Sequence, residues 1–571
     1  MATIALSFLA FGWSLIQNFA PIDDVFLVVK NLTVRGISPE TLRLAWTTYD
    51  PELYVPLTMM SFQLNYLIAG VHPWIYHLSN LLLHTGNALL VIALIEKITG
   101  SRRGAIAAGL LFAVHPLHTE AVVWVAARKD LLSTFFALLS LNLYVPTHEH
   151  PRTRRAYALS ILTFACALLS KITPVGLPII FFLHDVLLKR ESGWLRIVRR
   201  QLPYCTVAAV LLIAAMGGKQ QVLSQAHLME TILLSIKSSM FYLQKILLPL
   251  RFSIFYPYSG SVEIADAAIA LPVIMFVLLM IILMRYARHR PMVWFGLALY
   301  IMILAPTFLH FRRAGDLYFA VDRYAYLPSV GIFLLIAMLI ERLAHRLSSQ
   351  TIHQVIVIIL MISTGLSIHQ TTVWNSQESL FTHALKLYPN ATRARTNLAR
   401  KMRRNRSPQE AYDLLQEGVR VADAMELHQQ LGYLYAETNH LAEAHQEFLK
   451  ARDMKPGDPS PLFDIASLAE QTGQSAVAIE GFQAVIDLDP SFVIARVHLA
   501  KLLRIEKDDL QGAEEQLHEA LRWNPNSVEA HAEFSSLLRA NGNIESALKE
   551  EEIARSIDPS SVPLAVNGSG E

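Results

Sequence analysis

Over residues 1–370 the apolar positions gather into long unbroken runs, near 2–19, 77–96, 104–119, 131–146, 156–172, 174–188, 203–217, 262–284, 291–309, 326–341 and 351–369. Each approaches the ~17–25 residues that an α-helix needs to cross a bilayer, so the pattern predicts a polytopic bundle of about eleven spans. Residues Met1 to Phe19 lack the basic start and small-residue cleavage site of a removable signal and read as a retained first span. The stretch Met229–Leu250 is also apolar but carries Lys237, Gln244 and Lys245, which predicts an interfacial or re-entrant helix.

After residue 370 the pattern changes. Prolines recur at Pro389, Pro456, Pro490, Pro525 and Pro559, separated by 67, 34, 35 and 34 residues, which is the tetratricopeptide period with one degenerate unit. Gly432, Ala444 and Ala451 precede Pro456 in the register that Ala466, Ala478 and Val485 keep before Pro490, and Ala547 and Ala554 before Pro559. Small side chains at those places let paired helices approach closely. The expected fold is therefore all-α: a membrane helix bundle over 1–370, a tetratricopeptide-repeat α-solenoid over 371–561 and a frayed tail over 562–571. An unpaired helix is expected from about Trp374 to Tyr388, and the repeats offer a partner-binding surface or act as a spacer.

Composition agrees with a chain largely in lipid, since 53% of residues are hydrophobic. The net charge of +2 gives no case for nucleic-acid binding, and two cysteines, Cys166 and Cys205, support neither a disulfide framework nor a metal site. Local charge says more. With the N-terminus inside, the short inside loops carry Lys97, Arg102 and Arg103, then Arg152, Arg154 and Arg155, then Lys189, Arg190, Arg196, Arg199 and Arg200, then Arg285, Arg288 and Arg290, then Arg342 and Arg346. That bias places the other loops and the C-terminal region on the extracytoplasmic side.

Several outer-loop residues have the types that chemistry needs. Asp23 and Asp24 directly follow the first run, where a partly buried carboxylate could act as a general base or simply cap the next helix. His115, His118 and Glu120, followed by Arg128 and Asp130, are costly polar groups between two short spans. Their spacing is not that of a two-histidine zinc helix, so substrate positioning is favoured over a metal. Lys171, Lys245, and Arg323 beside Tyr324 complete the set. An arginine among tyrosines at a span end suits a lipid-linked phosphate, or anchors an interfacial aromatic belt.

The ordered set of Asp23-Asp24, Pro56-Leu57-Thr58, Phe62-Gln63-Leu64-Asn65-Tyr66, His77 through His84, His115-Pro116 with Thr119-Glu120, Ser170-Lys171, and Arg323-Tyr324 through Pro328-Ser329 resembles the transmembrane and tetratricopeptide-repeat O-mannosyltransferases and their bacterial relatives. The resemblance implies the C-type glycosyltransferase superfold. It implies an enzyme that passes a sugar, mannose or another hexose, from a polyprenyl-phosphate carrier to an acceptor protein or glycan, with protein hydroxyls favoured. An acidic residue of the first outer loop would be the base, with Asp24 preferred to Asp23; Arg323, then Lys171 and Arg128, would hold the phosphate. No cofactor or metal is implied, the lipid-linked sugar being a substrate. Two departures stand out: Ile172 replaces the acidic residue usual after the Ser-Lys pair, and Ala127 replaces the glycine usual before Arg128. A bacterial plasma membrane with periplasmic repeats is the expected location, the endoplasmic reticulum the alternative. The rival functional readings are a non-catalytic membrane-anchored scaffold for envelope proteins and, less favoured, a lipid-sugar transporter, which would spread polar residues through the bilayer midplane.

Overall fold

The computed structural model describes residues 1–20, 22–49, 53–146, 153–189, 193–217, 228–313 and 316–557; Arg152, Arg190, Pro559 and the tail 562–571 lie outside the described residues. Two compact units emerge: Met1–Val28 with Thr33–Tyr388, and Val29–Leu32 with Pro389–Glu571.

A helix occupies every one of the eleven apolar runs, but they are not equivalent. Among the described residues five helices are long and apolar enough to cross a membrane alone: Pro73–Thr99, Trp194–Met216, Ala267–Tyr286, Pro291–Leu309 and Ser349–Val373. A sixth arises if the pair Arg102–Ala113 and Pro116–Val123, bent by 49°, counts as one span. The expectation of eleven comes from runs whose helices are shorter, such as Arg128–Tyr144 and Arg154–Ser170 at 17 residues each. The first of these is buried along most of its length, the second exposes Leu159 and Leu162, and each bonds polar side chains to neighbouring helices. Ser140 Oγ donates to the Ser160 carbonyl at 2.7 Å, and Asn142 Nδ2 to the Leu90 carbonyl at 3.1 Å. In lipid such bonds join helices without any hydrophobic gain. Ala267–Tyr286, by contrast, exposes Leu271, Ile274, Leu278 and Ile281, the apolar face expected of a helix bathed in acyl chains. The chain is an integral membrane protein.

The segment at 229–250 forms one helix, Leu228–Leu247, that buries Tyr242 and Lys245. The Tyr242 hydroxyl donates to the Val321 carbonyl at 2.9 Å and accepts from the Val321 N–H at 2.7 Å, fixing the end of a small antiparallel sheet. That sheet comprises Tyr256–Pro257, Arg312–Arg313 and Asp316–Ala320, with the last strand central. It delivers the chain into the turn Asp322–Ala325. Gln377–Leu387 belongs to the same unit: Phe381 lies parallel to Phe255, ring centres 6.2 Å apart, and His383 Nε2 bonds the Phe252 carbonyl at 3.0 Å.

In the second unit helices pack pairwise from Thr392–Arg404 with Pro408–Val421 to Val528–Ala540 with Ile544–Ile557. The 67-residue proline gap holds two repeats, their boundary at Ala422–Ala424 lacking proline. The small residues expected at pair contacts are buried: Ala444, Ala451, Ala478, Ala547 and Ala554 expose nothing, and Gly432 abuts the Phe448 ring.

One close approach joins two helices of the bundle. A β-carbon on Gly331 would stand 2.3 Å from the Gly296 carbonyl oxygen, and one on Gly296 would stand 2.9 Å from that of Gly331, so helices Pro291–Leu304 and Ser329–Ala344 touch backbone to backbone. Gly331→Val is expected to push them apart at a cost of about 1–3 kcal/mol, read as a lower midpoint in thermal unfolding of the detergent-solubilised chain. An unchanged midpoint would mean that the contact is not tight.

Candidate active site

The site grows from the segment Trp124–Asp130, a 3₁₀ turn followed by the start of helix Arg128–Tyr144. Arg128 fixes it. This side chain is 1% exposed, and its donors are spent inside the fold. Nε bonds Asn80 Oδ1, Nη1 reaches Asn65 Oδ1 at 3.0 Å, and Nη2 reaches the Tyr76 carbonyl at 2.7 Å. The Phe62 ring lies 5.1 Å from its guanidinium carbon. Asn80 also donates to the Val122 and Trp124 carbonyls at 3.2 and 3.0 Å. Arg128 therefore joins the two preceding helices to the turn, and the structure gives it no group facing an open site.

The adjacent carboxylates Asp23 and Asp24 differ sharply. Asp24 exposes nothing: Oδ1 accepts the Ala126 N–H at 2.7 Å and Oδ2 the Ala20 N–H at 2.8 Å. Burial pushes its carboxyl up to about 7 against the pull of those two donors. Asp23 is partly exposed. The preference for Asp24 as base thus meets a steric objection, because an acceptor cannot reach a fully enclosed carboxylate while it can reach its neighbour.

Glu120 and Arg323 form a buried ion pair; the Arg323 backbone N–H also donates to Glu120 Oε2, at 3.2 Å. The guanidinium lies over Trp124 at 4.7 Å and Tyr324 at 5.2 Å, and its Nε has no partner. Lys171 pairs with Asp130 and sits 4.9 Å from the Tyr324 ring, so Tyr324 is flanked by two cations. Between these groups stands Lys129, which sequence reasoning passed over within the Arg-Lys-Asp run. It is partly buried and has no hydrogen bond or ion pair among the described residues. Burial, with repulsion from Arg323 and Lys171, lowers its ammonium to about 8, while Asp130 and Asp23 pull the other way.

The remaining candidates lie elsewhere in the unit. His115 Nε2 donates to the Ile246 carbonyl at 3.0 Å and His118 Nδ1 to the Phe112 carbonyl at 2.9 Å, and His118 packs on Phe112 and Tyr326. No metal-holding group of three His, Cys, Asp or Glu side chains occurs among the described residues. Lys245 donates to the Leu250 and Arg251 carbonyls, at 2.5 and 2.8 Å, near Asp322. Asp322 in turn takes the Tyr256 hydroxyl at 2.8 Å; burial and then the charge of Glu120 hold its carboxyl well above the usual range.

A family described as dolichyl-phosphate-mannose-protein mannosyltransferase matches residues 55–217, which include Arg128, Lys129, Asp130 and Lys171. Protein O-mannosyl-transferase TMTC3 of Mus musculus is 23% identical over 90% of this chain and 59% of its own length; TMTC4 of Homo sapiens is 27% identical over 61% and 55%. A shorter stretch, 107 residues, is 48% identical to tmtc2 of Xenopus laevis, covering 19% of this chain and 12% of that one. The chain is thus similar in sequence to proteins named protein O-mannosyl-transferases. It spans about 59% of the length of the mouse O-mannosyltransferase relative. Among solved structures, PilF of Pseudomonas aeruginosa is 17% identical over 34% of this chain and 85% of that chain, with a TM-score of 0.27. YrrB, described as a TPR protein with an unusual peptide-binding site, is 18% identical over 32% of this chain and 93% of that chain, with a TM-score of 0.23.

Asp24 sets a pH dependence with a definite sign. Its folded carboxyl titrates near 7 against 3.8 for the free group, so the folded state keeps the proton longer than the unfolded one. Its stabilising contribution is whole below about 3.8 and is lost as pH rises through about 7. Thermal melts across that window should fall more steeply for the native chain than for Asp24→Asn; equal slopes would show that Asp24 is ionised throughout.

Proposed function

We propose that this chain is a membrane glycosyltransferase that moves a hexosyl group, mannose in the first instance, from a polyprenyl-phosphate carrier to a protein hydroxyl at the extracytoplasmic face of a bacterial plasma membrane. The observation that carries the reading is the unpartnered Lys129 ammonium beside Arg323, with an accessible carboxylate, Asp23, in the same field. A cation with no bonded acid in a poorly hydrated place is suited to a phosphate. The relatedness to named O-mannosyltransferases supplies the sugar and the acceptor class.

In this reading Asp23 accepts the proton of the acceptor hydroxyl as its oxygen attacks the anomeric carbon. The bond from that carbon to the phosphate oxygen breaks, and the polyprenyl phosphate leaves as an anion held by Lys129 and the free edge of Arg323. A phosphate needs little protonation to leave, and a single displacement inverts the anomeric centre. Asp24 orients its neighbour by tying residues 20 and 126 together. Glu120 and Asp130 hold Arg323 and Lys171 in place when no phosphate is bound. A purely anchoring scaffold gains nothing from the buried Glu120–Arg323 pair or from an isolated Lys129.

The test is transfer of labelled sugar from purified polyprenyl-phosphate donors in proteoliposomes. Asp23→Asn is expected to lower turnover by about 10²-fold or more, with donor KM little changed. Lys129→Met should raise donor KM chiefly. Native protein that transfers neither mannose nor glucose, or an Asp23→Asn variant with full turnover, would overturn the assignment.

A further inference from the structure

Helix Thr392–Arg404 carries six cations, Arg393, Arg395, Arg400, Lys401, Arg403 and Arg404, and no acid, in a chain whose net charge is only +2. Four of them, Arg393, Arg400, Arg403 and Arg404, line a cavity of about 770 Å³ in the second unit. Positions 393, 397, 400 and 404 fall on one face of the helix at steps of four, three and four. Met425–Glu437 closes the cavity with Gln430 and Tyr433 at the same helical spacing, and Pro459–Gln471 contributes Ser460. Three successive repeats thus turn their first helices to one hollow.

The charges in that hollow do not cancel. Glu437 is taken by Arg403, which also bonds Gln430 Oε1 at 2.9 Å, and Glu426 pairs with Lys455 at 2.8 Å. Arg404 has no hydrogen bond or ion pair among the described residues, and the one bond of Arg400 goes to Asn397 Oδ1 at 3.4 Å. Burial, followed by the charges of Arg403 and Arg404, holds the Arg400 guanidinium below its ordinary range. Like charges one turn apart are mutually destabilising, and an anion between them removes that cost. The Gln430 amide nitrogen, on a side chain 6% exposed, also lacks a partner.

We propose that this cavity binds an extended acidic peptide segment, with alternate Asp or Glu side chains on Arg400 and Arg404 and its backbone on the Asn397 and Gln430 amides. Geometry favours a strand: residues one helical turn apart are separated by about 6 Å along the axis, and alternate side chains of an extended chain by about 6.6–6.8 Å. A hollow walled on three sides suits a chain better than a flat lipid surface. The inference is independent of sugar transfer, although a transferase with this site would favour acceptors bearing an acidic-x-acidic stretch.

The test is fluorescence anisotropy of a fluorescein-labelled Asp-Ser repeat peptide with the full chain in phosphatidylcholine nanodiscs. Saturable binding is expected that weakens with salt, with a Gly-Ser peptide inert. The double variant Arg400→Glu/Arg404→Glu should lose about 10-fold or more in affinity and gain binding of a Lys-Ser peptide. Lys549→Glu, on an exposed distant helix, should change neither. Equal binding of acidic and Gly-Ser peptides, or undiminished acidic binding by a double variant that melts like the native chain, would overturn the proposal. So would capture of phosphatidylglycerol vesicles, sensitive to the double variant, with no peptide binding. Because no donor sugar is present, this outcome is separate from that of the transfer assay.

Discussion

A guanidinium sealed from water is a severe constraint, and Arg128 imposes it on everything around the site. An arginine does not shed its proton readily, so every nearby acceptor must turn to it or leave a charge stranded. Asn65, Asn80 and the Tyr76 carbonyl do so, which fixes helices Pro56–Ala69 and Pro73–Thr99 against the turn that follows Trp124. Once that turn is fixed, so are the groups it carries: Trp124 beneath Arg323, the Ala126 N–H that holds Asp24, the Lys129 ammonium, and Asp130 opposite Lys171. Seven consecutive residues thus place contacts to four distant parts of the chain.

The repeats were legible in the sequence because their geometry repeats. A helix pair of fixed length demands a small residue at each crossing, and Ala444, Ala451, Ala478 and Ala554 stand where a 34-residue period puts them. The membrane character was equally plain, but the number of spans was not. Hydropathy responds to side chains one at a time and cannot tell a lipid-facing run from an interior one. Asn142 reads as a blemish in a span until its bond to the Leu90 carbonyl is seen.

At the site, residue types were readable and roles were not. Asp23 and Asp24 are adjacent and chemically identical, yet one backbone turn buries the second and leaves the first accessible. Arg128 looked like a phosphate ligand because its partners lie some 50 to 60 residues upstream on helices whose contacts no local pattern reveals. Lys129 was hidden by its neighbours; what sets it apart is the lack of an acid partner, a property of the folded chain. Tyr256 and Asp322 pair across 66 residues in the same way.

The Glu120–Arg323 pair spans 203 residues of chain. At about 5–20 residues per second, ribosomes need roughly 10–40 s to make that interval. Through this interval Glu120 has been made and its partner has not. The charge of Glu120 is therefore unmatched until the turn carrying Arg323 arrives. Assembly of the site is thus a late event in biogenesis, and a chain truncated before residue 323 lacks the cation that pairs with Glu120.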